Sequence, residues 1–422
     1  MTHIFHRTIT SLNQVVHQMP RIRFGIICQL SLTALVLVPC SSEAIPRFSL
    51  LTGTRCSVCH FNPQGSGLRT QLGWEMMNET GLVKWHGPDT SGIPATNTIF
   101  GGKFIPGADM RFQLVRESKT HQELLIPMQL TGSLGYIATP ELSAYTNINF
   151  ASLYVRSLTS TKGVFGTSAG LYPGETDYDA AIQYQPSISL PSIRVGMIEP
   201  SISIRQDDHT EFVHEEAAIQ GTVLIPPYYN EMGAELTYEG IRWLTVNAGI
   251  FNSYNLAQVD PTIGVVKSNF DFSRPSISGR VMLWPQLLDQ GLNGEVGASI
   301  LANGSFKMYN VFTGVGLADK ATIYVEGMYS KNADERITRN FSVLGNLELM
   351  SWLDIEWRYD YGQTEHYPGV DLGFSQAFLF GFEFFPAPYI ELRPEYRVTQ
   401  KNPLTGTGTF TGQWTGQIHL FY

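Results

Sequence analysis

The feature that most constrains the fold is an alternation with a period of two near the C-terminal end. Leu353, Ile355, Trp357, Tyr359 and Tyr361 hold one set of positions, and Asp354, Glu356, Arg358 and Asp360 hold the other. Successive side chains of a β-strand point to opposite faces, so this segment reads as a strand with one apolar and one charged face. The split recurs with Ile390, Leu392, Tyr396 and Val398 against Glu391, Arg393, Glu395 and Arg397, where Pro394 predicts a bulge. Leu372, Phe374, Phe378, Phe380, Phe382 and Phe384 share another face. The last segment sets Phe410, Trp414, Ile418, Leu420 and Tyr422 against Gln413, Thr415, Gln417 and His419. A soluble β-sandwich also alternates, but it rarely uses so many long strands. A closed sheet in lipid needs this pattern, because its outer face meets acyl chains and its inner face meets water. Alternating segments from Lys103 to Tyr422 predict a mainly β fold, a transmembrane antiparallel β-barrel of about 16 strands, within about 14 to 18.

Composition agrees with a lipid-facing sheet. Charged residues make up 15%, below the roughly 25% of a soluble domain, while Gly (40), Tyr (19) and Phe (24) are plentiful. The net charge is −9, which disfavours a nucleic-acid partner. Residues 1–44 read as an export signal, with Arg21 and Arg23 before the apolar run Phe24 to Pro39 and a Ser42-Glu43-Ala44 cleavage site. Pro39 argues against a lipid anchor on Cys40. Cys28 and Cys40 leave with the signal, so Cys56 and Cys59 alone remain.

The exported chain divides into a small segment, 45–97, and a barrel, 98–422. The first is loop-rich, with a helix expected from near Gly67 and a Pro/Gly/Ser/Thr linker from Gly87 to Thr98. Along the second, short links near Pro191, Gly240, Asp319, Ser351 and Pro386 alternate with longer ones around Asp208, Asp260, Asp334, His366 and Pro403. Periplasmic turns of such barrels are short and outer loops long, which assigns Arg205 to Asn230 to the outer face.

Cys56-Ser57-Val58-Cys59-His60 is the most specific chemical signal. Two thiols at this spacing suit the two vinyl groups of a haem, and the adjacent imidazole suits its iron. A local disulfide would leave His60 unexplained, and zinc held with His60 and His86 would be poorly spaced for a tetrahedron. Met76, Met77 and His86 are the candidates for a distal iron ligand. Met76 continues a stripe through Leu68 and Leu72 that would pack under a haem edge, whereas Met77 shares the other side with Trp74. Arg47, Arg55 and Arg69 could pair with haem propionates through the guanidinium fork. Farther on, Asp207, Asp208, His209 and His214 belong to an acidic run that could hold an external cation. The motifs of phosphate-binding loops, nucleophile elbows and metalloprotease helices are missing from the sequence.

In its plan, an exported haem motif ahead of a barrel, the chain resembles the outer-membrane monohaem cytochrome c and porin fusions, including those of iron-oxidising bacteria. The specific part is Thr52 to Pro63 around the Cys-x-x-Cys-His motif, followed by Gly65, Gly67 and Gly73. The resemblance implies one covalent haem c on Cys56 and Cys59, with His60 as proximal ligand. It implies electron transfer across the bacterial outer membrane, with a periplasmic cytochrome or other soluble carrier and an extracellular donor or acceptor, such as Fe(II), as partners. The haem would lie in the barrel lumen or on the periplasmic side. A solute porin whose haem segment is a gate, sensor or structural plug is the alternative, and a haem catalyst, which would need an open coordination position, is a third.

Overall fold

The computed structural model describes residues 49–50, 53–65, 67–78, 97–118, 123–151, 174–204, 224–226, 228–288, 291–304, 306–317, 320–332, 335–366, 369–387, 389–403 and 408–421. The strands are β1 Phe104–Glu117, β2 Glu123–Ile137, β3 Leu142–Asn149, β4 Tyr178–Tyr184, β5 Ser192–Ile198, β6 Glu231–Tyr238, β7 Leu244–Phe251 and β8 Ser276–Leu283 with its continuation Gln286–Leu288. They continue with β9 Leu292–Asn303, β10 Phe306–Leu317, β11 Ala321–Lys331, β12 Arg336–Met350, β13 Leu353–His366, β14 Val370–Ala387, β15 Ile390–Pro403 and β16 Thr409–Phe421. Both pieces of β8 lie antiparallel to β9, so the ladder is one of sixteen strands. Every neighbour is antiparallel, and β1 closes the sheet by pairing with both β2 and β16, from Asp109↔Phe421 to Glu117↔Gln413.

The burial pattern explains why these segments close on themselves. Leu114, Leu125, Ile182, Val195, Val311, Phe378, Phe380, Phe382 and Trp414 are exposed, whereas Arg194, Glu235, Asn310, Asp354, Glu356, Arg358 and Asp360 are buried. A soluble core has the opposite arrangement. Here apolar side chains face outward, and closure leaves no strand edge with unpaired backbone groups in an apolar medium. The expected faces of 353–361 and 390–398 are those observed, with the charged set turned inward.

Three local expectations are corrected. Pro394 breaks its ladder on one side without a bulge: toward β16 the register is unbroken, Arg393↔Gln417, Pro394↔Gly416 and Glu395↔Thr415, whereas toward β14 the pairs pass from Gly381↔Glu395 to Phe384↔Leu392 and skip Pro394 and Arg393. The register shift lies instead between Phe384 and Ala387. The short link expected near Pro386 is observed, between Ala387 and Ile390. The helix expected from Gly67 spans Gln71–Asn78, because Gly67 sits at φ +64° in the left-handed region and closes a turn. The long connections are 150–177, 199–230 and 252–275, while those near Asp334, His366 and Pro403 are short. All three long ones leave the rim opposite the one carrying the start of β1 and the end of β16, which makes that far rim the outer face by the general rule.

The lumen is filled by chain as well as by wall side chains. One apolar cluster joins Leu68 to Ile105, Tyr145, Ala181, Ile198 and Phe251, and a second joins Leu50 and Ile204 to Met282, Phe312 and Tyr324. A third, nearer the far rim, packs Ile202, Leu224, Ile225 and Tyr229 against Leu301, Phe306, Met308 and Met328. Leu50 and Leu68 belong to the N-terminal segment, and each buried leucine of this kind contributes about 1.5–3 kcal/mol.

Candidate functional site

The site begins as one turn of helix, α1, Cys56–Cys59. Residues three apart on a helix lie on the same side, so both sulfurs leave from one face. At His60 the chain turns to an extended conformation (φ −129°, ψ 149°) and pairs as an antiparallel bridge with Arg69. Phe61 N–H donates to the Leu68 carbonyl at 3.1 Å and Thr70 N–H to the Cys59 carbonyl at 2.9 Å. Between these two arms, Gly65 at φ +90° closes a tight turn and donates to the Asn62 carbonyl at 2.9 Å. Helix α2, Gln71–Asn78, then starts from Thr70, whose hydroxyl accepts from Gly73 N–H at 3.1 Å. Gly73 has no substitute here, since a Cβ would collide with the Cys59 carbonyl oxygen.

This compact loop docks against the barrel around the terminal rim. Arg55 donates to the backbone carbonyls of Glu239 (2.6 Å) and Ile241, and the Ser57 hydroxyl donates to Glu239 at 2.7 Å. Trp74, fully buried, stacks on Tyr389 with centroids 4.4 Å apart and planes at 14°. The Arg69 guanidinium lies 4.6 Å from the centre of the Phe421 ring. Wall glycines make the close approach possible: a Cβ at Gly135 would fall 2.7 Å from Leu68, and one at Gly316 would fall 2.7 Å from the Leu50 carbonyl oxygen.

Burial, with Glu295 nearby adding to it, pushes the Cys56 thiol up to about 12, and burial also raises Cys59 despite the opposing charge of Arg69. Both sulfurs therefore stay protonated at neutral pH, and neither is in a disulfide. Burial draws the Arg69 pKa down, and its Nη1 is buried with no hydrogen-bond partner among the described residues.

The predicted site residues thus separate into three groups. Cys56, Cys59, His60 and Arg69 come together. Arg55 does not join them as a propionate partner, because its guanidinium is held by wall carbonyls. Met76 and Met77 are positions of α2 whose side chains lie outside the described residues, as do Arg47, His86, Asp207, Asp208, His209 and His214. Of the expected stripe, Leu68 is buried and Leu72 is 46% exposed, and among the described side chains of α2 Trp74 is fully buried. Among the described residues no group of three or more His, Cys, Asp or Glu is placed to hold a metal ion. Sequence reasoning missed Arg194, Glu235, Tyr389 and the wall glycines, which carry no local motif.

The donor set fits a covalent haem: two protonated thiols on one helical face, an adjoining imidazole, and a buried guanidinium with an unused donor suited to a carboxylate. Cys56 and Cys59 would hold such a group, with His60 toward the iron and Arg69 toward a propionate.

The fold and site define a porin-type barrel of sixteen strands that takes its own N-terminal segment into its interior face. Solved structures share the barrel fold. The outer membrane channel DcaP of Acinetobacter baumannii is similar with a TM-score of 0.53 at 10% identity, over 76% of this chain and 97% of that one. OprB of Pseudomonas putida gives a TM-score of 0.53 at 8% identity, over 76% and 94%. No family model matches the sequence, and no curated protein matches it.

Proposed function

We propose that this chain is a channel-type barrel of the bacterial outer membrane, held shut by its own N-terminal segment acting as a structural plug, and that the plug carries one haem c. The observation behind this reading is that Leu50, Arg55, Asn62, Gln64, Leu68 and Trp74 all make contacts with inward-facing wall residues, rim turns or chain inside the lumen. The outward apolar face suits the lipids of the membrane. In planar bilayers the full chain should conduct little, and a chain lacking 45–97 should conduct freely. Equal conductance from both would remove the plug reading.

Bound haem would supply a one-electron redox centre. Denaturing gels should retain haem peroxidase staining, and Cys56→Ser with Cys59→Ser should abolish it. Unchanged staining would overturn covalent attachment. A six-coordinate spectrum lost on changing Met76, Met77 or His86 would identify the distal ligand.

A second reading, electron transfer across the membrane from an external donor such as Fe(II) to a periplasmic cytochrome, takes support from the docking of Cys56–His60 at the terminal rim, where a periplasmic carrier could reach the haem; the external donor would then have to enter the lumen to cover the rest of the apolar band of about 25 Å. In oriented proteoliposomes an impermeant Fe(II) complex added outside should reduce the haem. Asp207→Asn with Asp208→Asn should slow this at low salt by weakening the attraction for a cation. Reduction from the periplasmic side alone would sink the conduit.

A further inference from the structure

Arg194, on β5, is 2% exposed and reaches four different parts of the molecule. Its Nη1 donates to the Asn62 side-chain oxygen at 3.1 Å and to the Tyr145 hydroxyl at 3.0 Å, and its Nη2 donates to the Glu199 carbonyl at 3.0 Å and to the Glu235 carboxylate at 2.9 Å. Asn62 follows the Cys-x-x-Cys-His motif, whereas Glu199 opens the stretch Glu199–Ile204 that enters the lumen from the far rim. The same two pieces of chain also bond directly. Gln64 donates to the Pro200 carbonyl at 3.0 Å and accepts from Ile202 N–H at 3.1 Å, as a strand neighbour would. Asn62 donates to the Glu199 carboxylate at 3.2 Å.

The wall side of this joint is equally specific. Glu235 accepts from Ser201 N–H and from the Ser201 hydroxyl, both at 2.8 Å. Ser203 N–H donates to Ser299 at 2.8 Å, and the Ser203 hydroxyl donates to Glu326. The in-folded stretch is thereby tied to β6, β9 and β11.

We infer that Arg194 is a positioning residue that locks the N-terminal segment and the in-folded stretch 199–204 into a single two-part stopper, so that neither part loosens alone. The planar guanidinium fork explains the choice of residue: four acceptors are met at once by one buried charge, which an ammonium on a flexible stem cannot do. This inference rests on the plug reading above, but its test does not require haem or conductance.

The test uses the full-length chain in detergent, with the barrel checked by its heat-dependent gel mobility. Trypsin should spare Arg55 and Arg69 in the parent protein and cut at both in Arg194→Ala. Amide exchange should quicken about tenfold or more in 53–65 and in 199–204 together, the change expected when a bond of ordinary strength is lost. Arg194→Lys should give an intermediate pattern, because charge returns without the fork. Asn62→Ala with Gln64→Ala leaves the Arg194–Glu235 pair intact, and it should still quicken exchange at Ser201 and Ser203, whose N–H groups bond to Glu235 and Ser299 and to neither substituted side chain. If this double variant or a folded Arg194→Ala leaves exchange in 199–204 unchanged, or loosens one part alone, the coupling is wrong. Should a chain lacking 45–97 fail to conduct while the two parts still loosen together, the plug reading falls and the coupling stands.

Discussion

The wall of β3–β8 and the wall of β12–β16 treat their buried charges differently. In the first, strands are seven or eight residues long, long connections join them at the far rim, and Arg194 and Glu235 bond to chain that enters the lumen. In the second, strands run to between 13 and 18 residues, turns are tight, and wall residues bond to one another. Arg358 pairs with Asp360 at 2.9 Å, Arg393 with Glu383 and Glu391, and His419 sits between Glu391 at 2.7 Å and Asp109 at 3.0 Å. The segment meets the second wall at the terminal rim, through rings: Trp74 on Tyr389 and Arg69 over Phe421. A barrel wall whose polar groups satisfy each other stands by itself. One that leaves donors and acceptors for other chain becomes a receptacle, because a buried polar group without a partner costs about 1–3 kcal/mol.

The sharpest way to break this contrast is Arg358→Leu in the self-paired wall. It leaves the Asp360 carboxylate buried without its cation, and should cost the barrel about 3–5 kcal/mol in urea unfolding while trypsin still spares the docked segment. Release of the segment would show that the two walls are not independent. Trp74→Ala should do the reverse. It removes a fully buried ring and its stack on Tyr389, weakening docking by about 3 kcal/mol, read as segment proteolysis with the barrel transition unmoved. Gly135→Val forces a side chain into the space of Leu68 and should cost about 1–3 kcal/mol, again as faster proteolysis at Arg69. Leu72→Ala, on the exposed side of the same helix, should change either measurement by less than about 0.5 kcal/mol. A larger effect would mean that this face of α2 is covered in solution.

The barrel was legible because its rule is local. Asp354, Glu356, Arg358 and Asp360 announce an inward face by their alternation alone, and the period of two leaves no choice about which side each residue takes. Cys56, Cys59 and His60 stand out in the sequence for the same reason, since the motif occupies neighbouring positions. The reading failed where a feature depends on a distant neighbour. Pro394 was expected to mark a bulge, but it only interrupts the pairing toward β14, and the register shift lies near Pro386. Nothing in the sequence set Trp74 apart on α2, because the ring that stacks on it is the distant Tyr389. Arg55 and Arg69 looked alike in the sequence, and only the rim turn at Glu239 and Ile241 separates them by occupying one and leaving a donor of the other unused.

By itself the sequence determined a closed sheet with an apolar exterior, a strand number near that observed, and a thiol–thiol–imidazole motif ahead of the barrel. Strand periodicity and motif spacing are properties of neighbouring residues, so no folded context is needed to read them. The tertiary structure alone decided where that motif docks and what holds it. Arg194 and Asn62 stand 132 positions apart, and the room that Gly135 and Gly316 leave for Leu68 and Leu50 exists only once the barrel has closed. Such pairings arise from the path of the chain through space, and a one-dimensional pattern carries no record of which buried donor will meet which acceptor.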